Sequence, residues 1–240
     1  MNRHEFFQTS LISSLMDGVY EDELTIGELL SHGSFGLGTF NALDGEMVIL
    51  DGHCYQLRGD GTSRPAPLGA KTPYATVTDF VPSHRLEVRS PVTRAEISKL
   101  IDKVLPSANY MYALRITGHV DWVTTRTVVQ QSKPYRPMVE ATDGEEIVRT
   151  EDVSGSFAGF RTPVYQQGIS VPGCHVHFIT EARDHGGHVV DFQLGSGLVE
   201  VCVGTDLRLR LPISTEFAHA ELAPEDLAIQ VAKTEHTAGE

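Results

Sequence analysis

The sequence Val171-Pro-Gly-Cys-His175-Val-His177-Phe-Ile-Thr-Glu-Ala-Arg-Asp-His-Gly-Gly-His188-Val-Val-Asp-Phe192 has the pattern of two short strands joined by a turn. Side chains alternate between the two faces of a strand, so His175 and His177 lie on the same face. If the turn falls near residues 182–183, His188 on the returning strand lies opposite His177, with the two Cβ atoms about 5 Å apart. The stretch therefore predicts a β-hairpin that brings three imidazoles together.

Three imidazoles on one surface form a candidate metal site. Imidazole binds zinc, iron, nickel and copper, so the spacing leaves the identity of the metal open. Three protein ligands that leave one position open are the catalytic arrangement of zinc, whereas structural zinc sites are closed by four. Gly186 and Gly187 allow a bulge or a close backbone approach beside His188. The nearby His185 needs no role beyond that of a polar strand residue.

Composition and charge limit the partners of this 240-residue chain. Its 32 acidic and 19 basic residues give a formal charge of −13, which repels phosphate backbones and anionic membrane surfaces. Neither nucleic acid nor a membrane is expected as a partner. A small anionic substrate would also be repelled at long range, so its site needs a local basic group.

The three cysteines and the first residues indicate the compartment. An odd number of cysteines in a chain of this size suits a reducing environment. The segment Met1 to Gln8 lacks the apolar core of a signal peptide, and no apolar run approaches the length of a membrane span. We therefore expect a cytoplasmic protein.

Turn signals predict a strand meander in the first part of the chain. Asp44-Gly45 and Asp51-Gly52 flank residues 46–50 and predict three antiparallel strands that end near residue 57. Glu46 follows the first turn directly, opposite Leu43 in the expected register. Spacing alone favours an exposed carboxylate at this strand end, because glutamate is rarely buried.

The remaining patterns predict a mixed fold. A capping box at Thr93 and an apolar stripe predict a helix over residues 94–105, and a second helix is expected from about Pro224. Alternating residues predict further strands at 110–116, 120–129, 199–203 and 207–211, and an acidic surface connection at 140–152. The predicted class is α+β, with mainly antiparallel sheets in two closely packed halves, 1–108 and 109–240, and a few flanking helices.

Arg126 is the candidate basic group. It lies in the predicted strand 120–129, on the face that carries Trp122, Thr124 and Val128. An arginine in such surroundings pairs with an acidic residue or holds a substrate carboxylate through two hydrogen bonds. Spacing does not decide between these two interpretations.

Several motifs together resemble the alpha-acetolactate decarboxylase family, over nearly the whole chain. They are Ser10-Leu-Ile-Ser-Ser-Leu-Met-Asp-Gly-Val-Tyr20, Gly36-Leu-Gly-Thr-Phe40 leading to Leu43-Asp-Gly-Glu46, Arg126-Thr-Val128, Lys133-Pro-Tyr135, Gly173-Cys-His-Val-His-Phe178 and Gly186-Gly-His-Val-Val-Asp-Phe192. The resemblance implies a zinc-dependent cytoplasmic enzyme, and a homodimer, that converts 2-acetolactate to acetoin and carbon dioxide.

The resemblance also assigns the site residues. It implies His175, His177 and His188 as zinc ligands. It places Glu46, Arg126 and a glutamate near the C-terminus in the active site. Glu235 is the candidate for that glutamate, and Glu225 and Glu240 are the alternatives. Zinc would stabilise the enediolate as a Lewis acid, Arg126 would orient the substrate carboxylate, and Glu46 or Glu235 would protonate the enediolate carbon.

Two other functions fit the histidine hairpin. The spacing of His175, His177 and Glu181 is close to the first metal motif of cupins, which would indicate an oxygenase or isomerase with Glu181 as a ligand. Alternatively, the zinc would serve a non-catalytic module. Such sites are usually closed by four ligands, often cysteines, and Cys174 faces away from the histidines by alternation.

Overall fold

The computed structural model describes residues 4–143 and 145–235, and two β-sheets dominate it. The strands of the described residues are β1 (Glu5–Thr9), β2 (Phe35–Thr39), β3 (Glu46–Leu50), β4 (His53–Leu57), β5 (Ser63–Pro65), β6 (Ala75–Thr78), β7 (His84–Val88), β8 (Val92–Thr93), β9 (Met111–Arg126), β10 (Ile147–Thr162), β11 (Gly173–Thr180), β12 (Gly186–Gly204) and β13 (Asp206–Arg210). The helices are α1 (Ile12–Met16), α2 (Ile26–Leu30), α3 (Arg94–Val104), α4 (Met138–Ala141), α5 (Thr215–His219) and α6 (Leu227–Glu235), with single 3-10 turns at Asn41–Leu43 and Val164–Gln166.

The first sheet contains the predicted meander. Its seven strands follow the order β13-β1-β6-β2-β3-β4-β5, and β2, β3 and β4 are consecutive antiparallel neighbours as the turn signals predict. The register differs from the expected one. Glu46 pairs with Thr39 rather than with Leu43, because residues 41–43 form a 3-10 turn and lengthen the connection.

The second sheet is built on longer strands than the sequence predicts. Its order is β11-β10-β9-β12-β7, with β8 also paired to β12. The two strands predicted at 110–116 and 120–129 are the single strand β9. It runs through Gly118, which lies opposite Gly155 and Gly197. A Cβ at Gly118 would lie 2.2 Å from the carbonyl oxygen of Ser196. The glycine therefore allows β9 and β12 to approach closely, and β9 continues through it.

Two other strand predictions change in the same way. Residues 199–203 form the end of the 19-residue strand β12, and residues 147–152 of the predicted surface connection belong to β10. The fold class is confirmed: an α+β protein with two mainly antiparallel sheets and few helices. The predicted boundary near residue 108 lies between α3 and β9. Strand pairings join the two sides of this boundary: β13 pairs with β1 in the first sheet, and β7 and β8 pair with β12 in the second.

A shared apolar core holds the two sheets together. One cluster combines buried residues from both sheets: Phe6, Phe35, Leu37, Val48, Leu50, Leu57, Met111, Ala113, Ala158, Phe160, Ile179 and Cys202. Burial of apolar surface is the dominant favourable term in folding, so this cluster fixes β3 against β10 and β11. The packing places the backbone of β3 beside the histidine face of β11.

Helices close one end of the interface between the sheets. Helices α1, α4 and α6 pack together through Ile12, Leu15, Met16, Met138, Leu227 and Val231. Helix α3 begins at the predicted capping box, in which Thr93 and Glu96 satisfy each other's backbone amides. No helix among the described residues is long and apolar enough to cross a membrane.

Candidate metal centre and active site

The three predicted ligand histidines converge in the interior. His177 pairs directly with His188 in the β11–β12 ladder, and His175 lies two residues before His177 on the same face. All three side chains are buried, and their ligand nitrogens lie within 4.8 Å of one another. These side chains are therefore able to hold one metal ion.

Glycines bring the two strands close enough for this convergence. A Cβ at Gly187 would lie 2.7 Å from the carbonyl oxygen of Arg126, and a Cβ at Gly186 would lie 2.2 Å from that of Phe178. Both distances are shorter than side-chain carbon atoms tolerate. The close backbone approach predicted for these glycines therefore occurs, and it sets the position of His188.

Hydrogen bonds orient two of the imidazoles. The Nδ1–H of His177 donates to the carbonyl oxygen of Met47 on β3, 2.9 Å away, and the Nε2–H of His188 donates to the carbonyl oxygen of Glu235, 3.2 Å away. In the neutral ring the opposite nitrogen of each residue then carries the lone pair. Such backbone partners fix the tautomer of metal-binding histidines in general.

The electrostatics of the cluster fit a cation. Burial lowers the pKa of His177 to about 4, and burial together with the charges of His175, His177 and Arg126 lowers the pKa of His188 well below its usual value. Both imidazoles are therefore neutral near pH 7, which is the form that binds metals. The Nε2 atoms of His175 and His177 lie 3.2 Å apart, and two lone pairs at that distance repel unless a proton or a metal ion lies between them.

Glu46 is buried, so the exposed carboxylate expected from spacing is wrong. Its side chain belongs to β3, in which all five residues are buried, and one carboxyl oxygen lies 3.6 Å from His177 Nε2. Burial is the main cause that raises the pKa of Glu46 well above its usual value, followed by the negative charges of Glu235 and Glu145. These surroundings disfavour the ionised form of the carboxyl group.

Glu235 lies beside the other two histidines. It is the last residue of α6, and one carboxyl oxygen lies 3.4 Å from His175 Nε2 and 3.9 Å from His188 Nδ1. The packing of α6 against α1 and α4 brings it there. Glu225 is exposed in the turn before α6, and Glu240 lies outside the described residues.

Arg126 ends β9 and lies opposite His188 in the pairing of β9 with β12. Its Nη2 donates to the carbonyl oxygen of Thr234, and its Nε lies 3.9 Å from a carboxyl oxygen of Glu145. The cavity at the histidines is lined by Ile12, Leu15, Gly38, Thr39, Glu46, Tyr74, Val128, Met138, His175, His177, His188 and Glu235. The structure thus places Arg126 near an acidic residue and near the candidate metal centre at once. The role of Glu145 was not predicted, because an acidic surface stretch gives no sign that one member turns inward.

The remaining candidates do not join the cluster. Glu181 is exposed at the hairpin turn, and His185 is exposed and lies 3.0 Å from Asp184. Cys174 packs against the apolar core of the second sheet, on the face of β11 opposite the histidines. Glu181, the ligand that a cupin motif would need, therefore does not reach the histidines. Cys174, which could close a structural zinc site, does not reach them either.

Comparisons with known proteins identify the family of this chain. The sequence model of the family described as alpha-acetolactate decarboxylase matches residues 6–224. An alpha-acetolactate decarboxylase from Klebsiella aerogenes is 45% identical over 230 residues, which cover 96% of this chain and 88% of that protein. The corresponding protein of Bacillus subtilis strain 168 is 42% identical over 231 residues, which cover 96% and 91%.

Solved structures show the same fold. The crystal structure of alpha-acetolactate decarboxylase from Bacillus subtilis strain 168 superposes with a TM-score of 0.95 at 42% identity and covers 97% of this chain and 100% of that one. A Staphylococcus aureus protein of unknown function, described as similar to alpha-acetolactate decarboxylase, superposes with a TM-score of 0.92 at 28% identity and covers 96% and 100%.

Proposed function

This chain belongs to the alpha-acetolactate decarboxylase family and is a carboxy-lyase, and from that membership we propose that it uses zinc to convert 2-acetolactate to acetoin and carbon dioxide. The observation that carries the proposal is the cavity lined by three buried histidines and two buried glutamates, with Arg126 paired to His188 in the adjoining strand. His175, His177 and His188 would hold the metal. When bound, zinc would supply Lewis-acid stabilisation of negative charge on the substrate oxygens.

Arg126 would bind the substrate carboxylate. In a chain of formal charge −13, an anionic substrate needs a local positive group, and Arg126 is the strand partner of His188. The hydrogen bond to the carbonyl oxygen of Thr234 fixes the guanidinium against α6. The carboxylate that leaves as carbon dioxide is thereby held in one orientation.

Glu46 would supply the proton. When the bond to the carboxylate breaks, its electron pair moves toward the neighbouring ketone, and the former carboxylate-bearing carbon must gain a proton to give acetoin. The buried carboxyl of Glu46 has a raised pKa and therefore keeps a proton available. Glu235, near two of the histidines, helps to keep Glu46 protonated through its negative charge.

Acetoin release from racemic 2-acetolactate by the purified protein under argon tests the proposal. We expect activity that disappears after chelation and returns with zinc. Excluding oxygen also separates this reaction from a cupin-type oxygenase. A folded, zinc-loaded sample that releases no acetoin would overturn the proposed function.

The cellular setting implied by the resemblance is part of the same proposal. We propose a homodimer in the cytoplasm, with 2-acetolactate as its small-molecule partner. The odd number of cysteines supports a reducing compartment. Light scattering on the purified protein would test the dimer, and a single mass of 26.3 kDa at all concentrations would contradict it.

A further inference from the structure

We propose that Glu145 is a positioning residue that acts through Arg126, and that binding of the substrate carboxylate is coupled to uptake of one proton by Glu145. The inference rests on the proposed function, because it assigns the substrate carboxylate to Arg126. It adds a residue to which the family resemblance gave no role.

The position of Glu145 follows from the strand register. Ile147 on β10 pairs with Arg126 on β9, and Glu145 lies two residues before Ile147, which makes it a diagonal neighbour of Arg126. Its side chain is 7% exposed, although Glu146 beside it is exposed. The separation of 3.9 Å between the carboxyl oxygen and Arg126 Nε is an ion-pair distance and exceeds the upper limit of about 3.2 Å for a good hydrogen bond. Glu145 therefore influences the guanidinium by charge.

The other carboxyl oxygen of Glu145 has no hydrogen-bond partner among residues 4–143 and 145–235. It is also buried. Burying a charged oxygen without a donor is costly, and protonation removes most of that cost. The geometry thus gives Glu145 two accessible states: an anion that offsets the charge of Arg126, and a neutral acid that does not.

The surrounding charges place the change between these states near neutrality. Burial raises the pKa of Glu145 to about 7, and the positive charge of Arg126 opposes this shift. The negative charge of Glu145 raises the pKa of Glu46 on β3, and the negative charge of Glu235 on α6 has the same effect. Arg126 is the cation of this group, and the substrate carboxylate would compete with Glu145 for it.

This competition couples substrate binding to a proton. A carboxylate bound at Arg126 adds negative charge beside Glu145 and raises its pKa further. Below about pH 7, Glu145 is protonated in the free and in the substrate-bound protein, and its contribution to binding is then complete. As the pH rises above about 7, the free protein loses this proton and binding must restore it, so the contribution is lost. The KM for acetolactate should therefore increase above neutrality, by up to about tenfold per pH unit for one coupled proton.

The test compares three proteins across this pH range. For the wild type we expect KM to rise several-fold between about pH 6.5 and about pH 8. For Glu145→Gln we expect KM to stay near the low-pH value of the wild type across this range, so the substitution removes the pH dependence of KM, measured separately from kcat. Glu146→Gln removes the same charge from an exposed neighbour and should follow the wild-type profile. A Glu145→Gln profile parallel to that of the wild type would overturn the proposal.

A binding measurement separates this inference from the proposed function. The probe is 2-hydroxy-2-methylbutanoate, which keeps the carboxylate and the tertiary hydroxyl but lacks the ketone and cannot decarboxylate. Calorimetry near pH 7.5 in two buffers of different ionisation enthalpy should show proton uptake for the wild type and none for Glu145→Gln. If the wild type itself binds without proton uptake, the inference fails even though acetoin is released. If no acetoin forms, the proposed function fails whatever the calorimetry gives.

Discussion

Glu46 is the residue on which the proposed proton transfer depends, and its substitution gives the sharpest single-residue prediction. Glutamine keeps the size of the side chain but has no proton to deliver. We expect Glu46→Gln to lower kcat by about 10²- to 10⁴-fold, the usual contribution of a positioned acid, with little change in KM. Steady-state kinetics of acetoin release, together with the zinc content of the same sample, would measure this.

The matched control for Glu46 is Glu181. Glu181→Gln makes the same change at the exposed hairpin turn and should leave both zinc content and kcat unaltered. Glu46→Gln with full kcat would contradict the role of Glu46 and would transfer the proton to Glu235. Loss of metal in Glu181→Gln would instead revive the cupin interpretation.

Some residues of the site can be predicted from the sequence and others cannot, and the pattern of burial along each strand explains the difference. The histidines were predicted because alternation places them on one face of a strand. The burial of Glu46 could not be predicted, since β3 is buried on both faces and alternation then carries no information. Glu145 gave no signal either, because it lies in a connection outside both strands. Glu235 lies beyond residue 224, where the family match ends. Its place at the site is set by the packing of α6, which sequence spacing does not predict.

At the scale of single elements, the hairpin of β11 and β12 supplies all three of the proposed metal ligands. Removing one of its inward imidazoles leaves two, which is too few for a stable catalytic zinc site. We expect His188→Ala to lose most of its bound zinc and its activity. His185→Ala changes an exposed histidine of the same hairpin and should retain both. Metal analysis after dialysis measures the ratio of zinc to protein, and full zinc in His188→Ala would exclude His188 as a ligand.

The close approach of β12 to β9 depends on Gly187. A methyl group there would meet the carbonyl oxygen of Arg126 and the hydroxyl of Thr127, both at 2.7 Å. We expect Gly187→Ala to destabilise the fold by about 1–3 kcal/mol, the usual cost of overpacking, and to weaken zinc binding by displacing His188. Denaturant unfolding would measure the first effect. Gly69→Ala, which has open space around its Cβ, is the control, and equal stability of the two variants would contradict the account.

Local signals predicted the short elements, whereas the long strands required information from elsewhere in the chain. The meander and the capped helix α3 follow from turn and cap residues within a few positions. Gly118 lies in the gap between the strands predicted at 110–116 and 120–129, and its partners Gly155 and Gly197, which show that the strand continues, are distant in sequence. The partners of β7, β8 and β13 are likewise strands distant in sequence, and residue spacing does not encode such pairings.

At the scale of the whole molecule, the exchange of strands predicts that the protein unfolds as one unit. Strand β13 completes the first sheet against β1, and β7 and β8 extend the second sheet against β12. Either predicted half, 1–108 or 109–240, would therefore leave an open sheet edge and an uncovered apolar face without the other. The hydrogen bond from His177 to Met47 also ties the metal centre to both sheets.

Cooperative unfolding can be measured with one probe in each sheet. The single tryptophan, Trp122, lies in β9 and donates to Gln193 of β12, so its fluorescence reports on the second sheet. Tyr55→Trp in a Trp122→Phe background would report on the first sheet through β4. We expect both signals to change at one midpoint in denaturant, together with the far-ultraviolet circular dichroism. Two separate midpoints would mean that the halves are independent units and that the metal centre is assembled by docking one folded half onto the other.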